Sequence, residues 1–241
     1  MNLRVNSIFA TICGLPLIGG NVHAASFSDG FEAMALDPFW TPIAINGSVG
    51  FSTTRFHSGA KSLELSTTNV AANKDVQIYH QFPAPDFGTV SVWVYDAYAD
   101  ELSANYLHLR AANTALGTNA DLYTQDYDLG PSNGGNYYYE TFGGLNQTSS
   151  VDRTKNWHLF EIVSSPSLLK LSIDGTVVHS GPSGTPFDRI ILEVHAPGFR
   201  PGVAIQFDDF QYIPEPGSIS SLAIAIGAAL CFGRRPARVT R

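Results

Sequence analysis

The chain has 241 residues, with 14 basic against 21 acidic side chains and a formal net charge of −7. That balance repels nucleic acid and anionic lipid, so nucleic acid is excluded as a partner. The only cysteines, Cys13 and Cys231, fall in apolar terminal runs, so the middle of the chain has neither disulfides nor thiolate chemistry and must stand on its core alone.

Met1 to Arg4 is short and positive, Val5 to Gly20 is mostly apolar, and Val22-His23-Ala24 offers small residues for cleavage. This predicts a secretory signal helix over residues 1–24, removed by signal peptidase after Ala24 or Ala25. Alternating strands follow. Val90, Val92 and Val94 oppose Ser91, Trp93 and Tyr95; Leu107 and Leu109 oppose Tyr106, His108 and Arg110. Leu169, Leu171 and Ile173 lead into an Asp174-Gly175 hairpin turn, and Ile190, Leu192 and Val194 oppose Ile191, Glu193 and His195. Helical periodicity is almost absent. The prediction is one all-β domain over residues 25–213, an antiparallel two-sheet sandwich. In the last strand Val203, Ile205 and Phe207 have one parity and Phe210 and Tyr212 the other, which requires a β-bulge near Asp208-Asp209.

Residues 214–241 have three parts. Pro214-Glu215-Pro216 comes first, then an apolar run from Ile219 to Phe232, then a basic end with Arg234, Arg235, Arg238 and Arg241. The run is a membrane helix too short and too dilute for a permanent span, and the arginines hold its end in the cytoplasm. This order resembles the PEP-CTERM sorting signal of Gram-negative bacteria. The resemblance implies transient inner-membrane anchoring, an exosortase as partner, and release to the cell surface or extracellular polysaccharide matrix.

Three stretches of the middle carry a second resemblance. They are Ser26 to Glu32 with Trp40, His57 to Leu65, and Trp157 to Ile162 joined to Leu171 to Gly175 and closed by Phe207-Asp208-Asp209-Phe210. Together they are similar to the concanavalin A-like (LamG-type) jelly-roll domains of secreted bacterial proteins. The His-Ser-Gly turn also occurs in galactose-binding-like modules, which are jelly rolls as well.

Candidate sites follow from these placements. If the first and last strands are neighbours, Asp29 and Glu32 come close to Asp208 and Asp209, and with carbonyls near Lys61 they form an oxygen set suited to a structural Ca²⁺. Trp93, Tyr95, Tyr106, His108, Arg110, Tyr138, Glu140, Glu193 and His195 all have outward parity or lie in the tyrosine run, and aromatic rings beside polar groups are what a glycan groove needs. There is no Gly-x-Ser-x-Gly elbow and no Glu-x-Asp-x-Glu run, and Asp126 and Asp128 read as loop acids. The expectation is therefore a non-catalytic surface or matrix protein with glycan affinity. The alternatives are a polysaccharide lyase or glycoside hydrolase working on the concave face, and a purely structural matrix protein.

Overall fold

The computed structural model describes residues 25–99, 106–124, 135–198 and 201–216. The expected signal helix, the apolar C-terminal helix, Asp126, Asp128, Arg234 and Arg235 lie outside the described residues. Among the described residues, no helix is long and apolar enough to cross a membrane.

The described chain is built of strands. In order they are β1 (Phe27–Asp29), β2 (Thr41–Ile45), β3 (Gly47–Ser52), β4 (Ser62–Thr67), β5 (Lys74–Asp86), β6 (Gly88–Tyr95), β7 (Tyr106–Asn113) and β8 (Thr118–Tyr123). Then come β9 (Asn136–Glu140), β10 (Asn146–Asp152), β11 (Trp157–Ser165), β12 (Leu168–Ile173), β13 (Thr176–Gly181), β14 (Phe187–Ala196) and β15 (Ala204–Pro214). They form two antiparallel sheets. One runs β13-β12-β11-β6-β15-β4-β3, with β1 also on β15, and the other runs β10-β9-β8-β7-β14-β5-β2.

Alternation explains the sandwich. Val76, Ile78, Leu107, Leu109, Ala120, Leu122, Leu192 and Val194 of one sheet share the core with Leu63, Leu65, Val90, Val92, Phe160, Ile162, Ile205 and Phe207 of the other. The intervening side chains face away from the core because successive strand residues point to opposite sides. The Asp174-Gly175 turn joins β12 to β13 as expected, and both residues have positive φ.

The bulge is present. β15 pairs with β6 through a register shift between Asp208 and Gln211, and Asp209 has a φ of 47°. The shift lets Phe207 and Phe210 both reach the core despite their opposite parity. β1 closes the same edge, with Phe27 opposite Tyr212 and Asp29 opposite Phe210. Asp29 then fastens the first loop, accepting hydrogen bonds from Phe31 N at 2.7 Å and Trp40 Nε1 at 3.0 Å.

Candidate active site on the seven-stranded sheet

Register turns the outward residues of the seven-stranded sheet into a grid. Glu193 lies opposite Gln77 on one side and His108 on the other, and His108 lies opposite Tyr123, which lies opposite Tyr138. One step along, His195 lies between Asp75 and Tyr106. One step the other way, Arg110 lies opposite Asp121, which lies opposite Glu140. Cross-strand neighbours on one face are close enough to bond.

A buried network results. Asp121, only 2 % exposed, accepts from His108 Nδ1 at 2.8 Å and from Arg110 Nε at 3.0 Å through the same oxygen. Arg110 Nη2 also approaches His108 Nδ1 at 3.2 Å, but a nitrogen that donates to a carboxylate cannot accept from a guanidinium as well. Nδ1 of His108 is therefore the donor to Asp121. Arg110 Nη1 donates to Glu193 Oε2 at 2.9 Å. Burial works against the Arg110 charge, yet the Asp121 and Glu193 carboxylates outweigh it and raise its pKa. The Tyr123 ring stacks on His108 with centroids 5.2 Å apart, and burial, followed by the charges of Asp121 and Glu140, pushes its hydroxyl pKa up.

Beside this network, Asp75, Glu193 and His195 bring one donor atom each within 4.8 Å of the others. Asp75 is pushed above the ordinary carboxylate range, first by burial and then by the charge of Glu193. Its Oδ1 is buried without a hydrogen-bond partner. Three donors this close would also suit a cation, but Glu193 already has its counter-charge in Arg110. The cluster therefore reads as an acid biased toward its neutral form, Asp75, beside one that Arg110 holds, Glu193.

The residues expected to bind glycan do not form one face. His108, Arg110, Tyr138, Glu140, Glu193 and His195 gather on the seven-stranded sheet, and the backbone of Tyr106 joins them there. Trp93 and Tyr95 lie on β6 in the other sheet, on the opposite side of the sandwich. Alternation gives the parity of a residue within its strand but not the sheet that the strand enters. The sequence reading also missed Asp75, Asp121 and Tyr123. Their signal is present, since Asp75, Gln77 and Tyr79 alternate with Val76 and Ile78, and Asp121 and Tyr123 alternate with Ala120 and Leu122.

The acids expected to cage calcium hold loops instead. Asp208 Oδ2 accepts from His57 N and Ser58 N at 2.7 and 3.1 Å, and its Oδ1 from Asp209 N at 2.8 Å. Asp209 is bonded to His57 Nδ1 and Ser58 Oγ, both at 2.7 Å. Glu32 Oε1 accepts from Ala60 N and Lys61 N at 2.9 and 3.1 Å, close over Gly59, whose φ is 65°. Lys61 Nζ donates to the Glu32 carbonyl at 3.2 Å. Oxygens that point at N–H and O–H donors do not converge on a cation, so this arrangement does not fit a calcium cage.

No known family profile matches the sequence, and no curated protein matches it. Solved structures do match in fold. A Bacteroides ovatus mixed-linkage glucan GH16 protein in complex with a product superposes with a TM-score of 0.57 at 11% identity, covering 78% of this chain and 99% of that one. An apo Crh5 transglycosylase gives 0.53 at 12% identity, covering 80% and 86%. A LamA variant from Zobellia galactanivorans in complex with laminaritriose and laminaritetraose gives 0.53 at 13%, covering 77% and 97%.

The fold is a concanavalin A-like jelly roll. The expectation of a non-catalytic domain is corrected at this point, because the structures that share the fold include glycan-processing enzymes of the GH16 and transglycosylase type. The premise of that expectation was the missing Glu-x-Asp-x-Glu run. It overlooked that antiparallel neighbours can bring acids together from two strands, as β5 and β14 do here.

Proposed function

We propose that this chain is a glycan-processing enzyme that breaks or transfers glycosidic bonds on the outward face of its seven-stranded sheet. The observation that carries the reading is the pairing of Asp75 with Glu193 within 4.8 Å, one acid biased toward its protonated form and the other held by Arg110. Glycosidases that retain configuration keep their two carboxyl groups about 5–5.5 Å apart. In this scheme Asp75 gives its proton to the leaving glycosidic oxygen while a Glu193 oxygen attacks the anomeric carbon. Water or an acceptor hydroxyl then displaces Glu193 and returns a proton to Asp75. Arg110 orients Glu193, and Asp121 fixes both Arg110 and His108. Polysaccharide is the substrate class, supported by the glucan and laminari-oligosaccharide complexes among the fold's relatives.

Elimination by a lyase needs a tyrosinate or a comparable base. The raised pKa of the Tyr123 hydroxyl opposes that role, so the acid pair is the better use of the face. The test is release of reducing ends from mixed-linkage glucan, laminarin and a uronan panel. Asp75→Asn and Glu193→Gln are each expected to slow release by about 10²–10⁴-fold. Unsaturated ends would replace the acid pair with elimination, and no new ends from any polymer would sink the reading.

The same reading sets the enzyme outside the inner membrane, exported by its signal peptide and processed at a PEP-CTERM signal by an exosortase. Pro214 ends β15 and Glu215 N donates to Phe87 O at 2.9 Å, so the triplet begins where the sandwich stops. A cut beyond Pro216 would leave the fold intact.

A further inference from the structure

We propose that the opposite side of the sandwich carries a second glycan-holding surface, built on Trp93, Tyr95 and Trp157 with Arg55 and His57, that grips an extended neutral polysaccharide. Val92, Val94 and Phe160 fill the core, so Trp93, Tyr95 and Trp157 are turned outward on the eight-stranded sheet. All three are half-buried. Trp157 lies opposite Tyr95 in register, and their rings meet edge to face with centroids 5.5 Å apart. His57 stacks on Trp93 at 3.8 Å and meets Trp157 edge-on at 5.8 Å. The Arg55 guanidinium sits 4.9 Å from the Tyr95 ring centre. The cluster runs across two neighbouring strands and one loop, the shape of a platform for consecutive sugar rings.

Polar chemistry at its border supports a ligand. Gln206 lies opposite Tyr95 on one side and Glu64 on the other. It is 2 % exposed, and its Nε2 donates to Glu64 Oε2 at 2.8 Å. That bond fixes the amide orientation and leaves Oε1, which has no partner, turned away from Glu64. An unpaired buried acceptor costs stability unless a donor comes to it, and a small shift of the border that opens Oε1 would let a sugar hydroxyl supply one. The charges nearby offset one another, which suits a neutral chain. His57 is paired with Asp209 at 2.7 Å and Lys170 with Glu161 at 2.7 Å, while the positive Arg55 over Tyr95 is matched by the negative Glu64 beside Gln206.

The surface lies across the sandwich from the acid pair, so its retention of polymer is independent of cleavage. The test uses the Glu193→Gln chain, in which catalysis is disabled, and follows retardation in gels containing mixed-linkage glucan or laminarin and retention on an insoluble glucan. Adding Tyr95→Ala and Trp157→Ala is expected to weaken retention about tenfold or more while the β-sheet circular dichroism signal is kept at the assay temperature. Tyr95→Phe with Trp157→Phe keeps the planes and is expected to keep most of the retention, which guards against a folding artefact. Equal retention with and without the aromatic rings would overturn the proposal, and so would no retention of the Glu193→Gln chain by any neutral polymer. Loss of reducing-end release in Glu193→Gln alone speaks to the acid pair and not to this surface.

Discussion

Asp75 carries a cost in stability that the proposed reaction would put to use. Burial and the neighbouring Glu193 charge raise its pKa above its ordinary 3.8, so the folded state penalises the ionised form that the unfolded chain prefers at neutral pH. A raised folded pKa contributes stability below 3.8 and loses it as pH rises through the raised value. Asp75→Asn removes that loss. The variant is expected to melt a few degrees above the native chain at neutral pH, with the gain shrinking as pH falls and gone below 3.8. Its activity is expected to be lost at every pH. A variant that melts lower at neutral pH would show that Asp75 is a structural acid. The outward parity of Asp75 was legible in its alternating strand, but its partner was not, because an outward acid looks the same in sequence whether its cross-strand neighbour is His195 or a serine. His108, Arg110, Glu193 and His195 were legible, since their parity alone places them opposite the core.

Among the elements, β15 shows what a pattern can and cannot say. The change of parity between Phe207 and Phe210 predicted a bulge, and the register shift between Asp208 and Gln211 is that bulge. What the two acids do there was not legible. A carboxylate that binds a cation and one that binds backbone N–H groups have the same sequence, and the choice depends on how the 55–61 loop folds back over the strand. Asp208 is fully buried and takes three N–H donors, from His57, Ser58 and Asp209. Asp208→Ala leaves them without an acceptor and is expected to cost about 3 kcal/mol. For a domain of this size that lowers the melting temperature by about 6–12 °C. The loss should reach Trp93, which lies opposite Asp208 on the same sheet and is covered by His57 of the same loop. Scanning calorimetry of Asp208→Ala, with Ser28→Ala as an exposed control, checks this. A fall no larger than the control's would mean that the loop is held by something other than Asp208.

Across the whole molecule, the two ends of the sandwich lie far from the proposed acid pair. Phe27 pairs with Tyr212, so the start of β1 and the end of β15 leave the sandwich side by side. Glu215 is bonded to Phe87, next to Asp86, which pairs with Phe187. Asp75 and His195 lie at the other ends of those same strands, β5 and β14. Anything attached to these two ends is therefore held a strand's length from the acid pair, and under the proposed function that keeps a tether clear of the substrate. This geometry makes a firm demand on connectivity. Joining Pro216 to Ala25 through a short Gly/Ser linker and opening the chain between Pro166 and Ser167, the exposed turn between the paired Ser165 and Leu168, should preserve the sandwich. That permutant is expected to melt within about 5 °C of the parent and to match the parent in the reducing-end assay. Opening at Asp174-Gly175 is the discriminating control, because Asp174 bonds His158 Nδ1 at 2.7 Å and Leu159 N at 2.8 Å, and a break there loosens one of the two sides from which the buried His158 is held. If both openings unfolded the chain equally, the two ends would not be neighbours in solution, and the separation of tether from active face would fall with them.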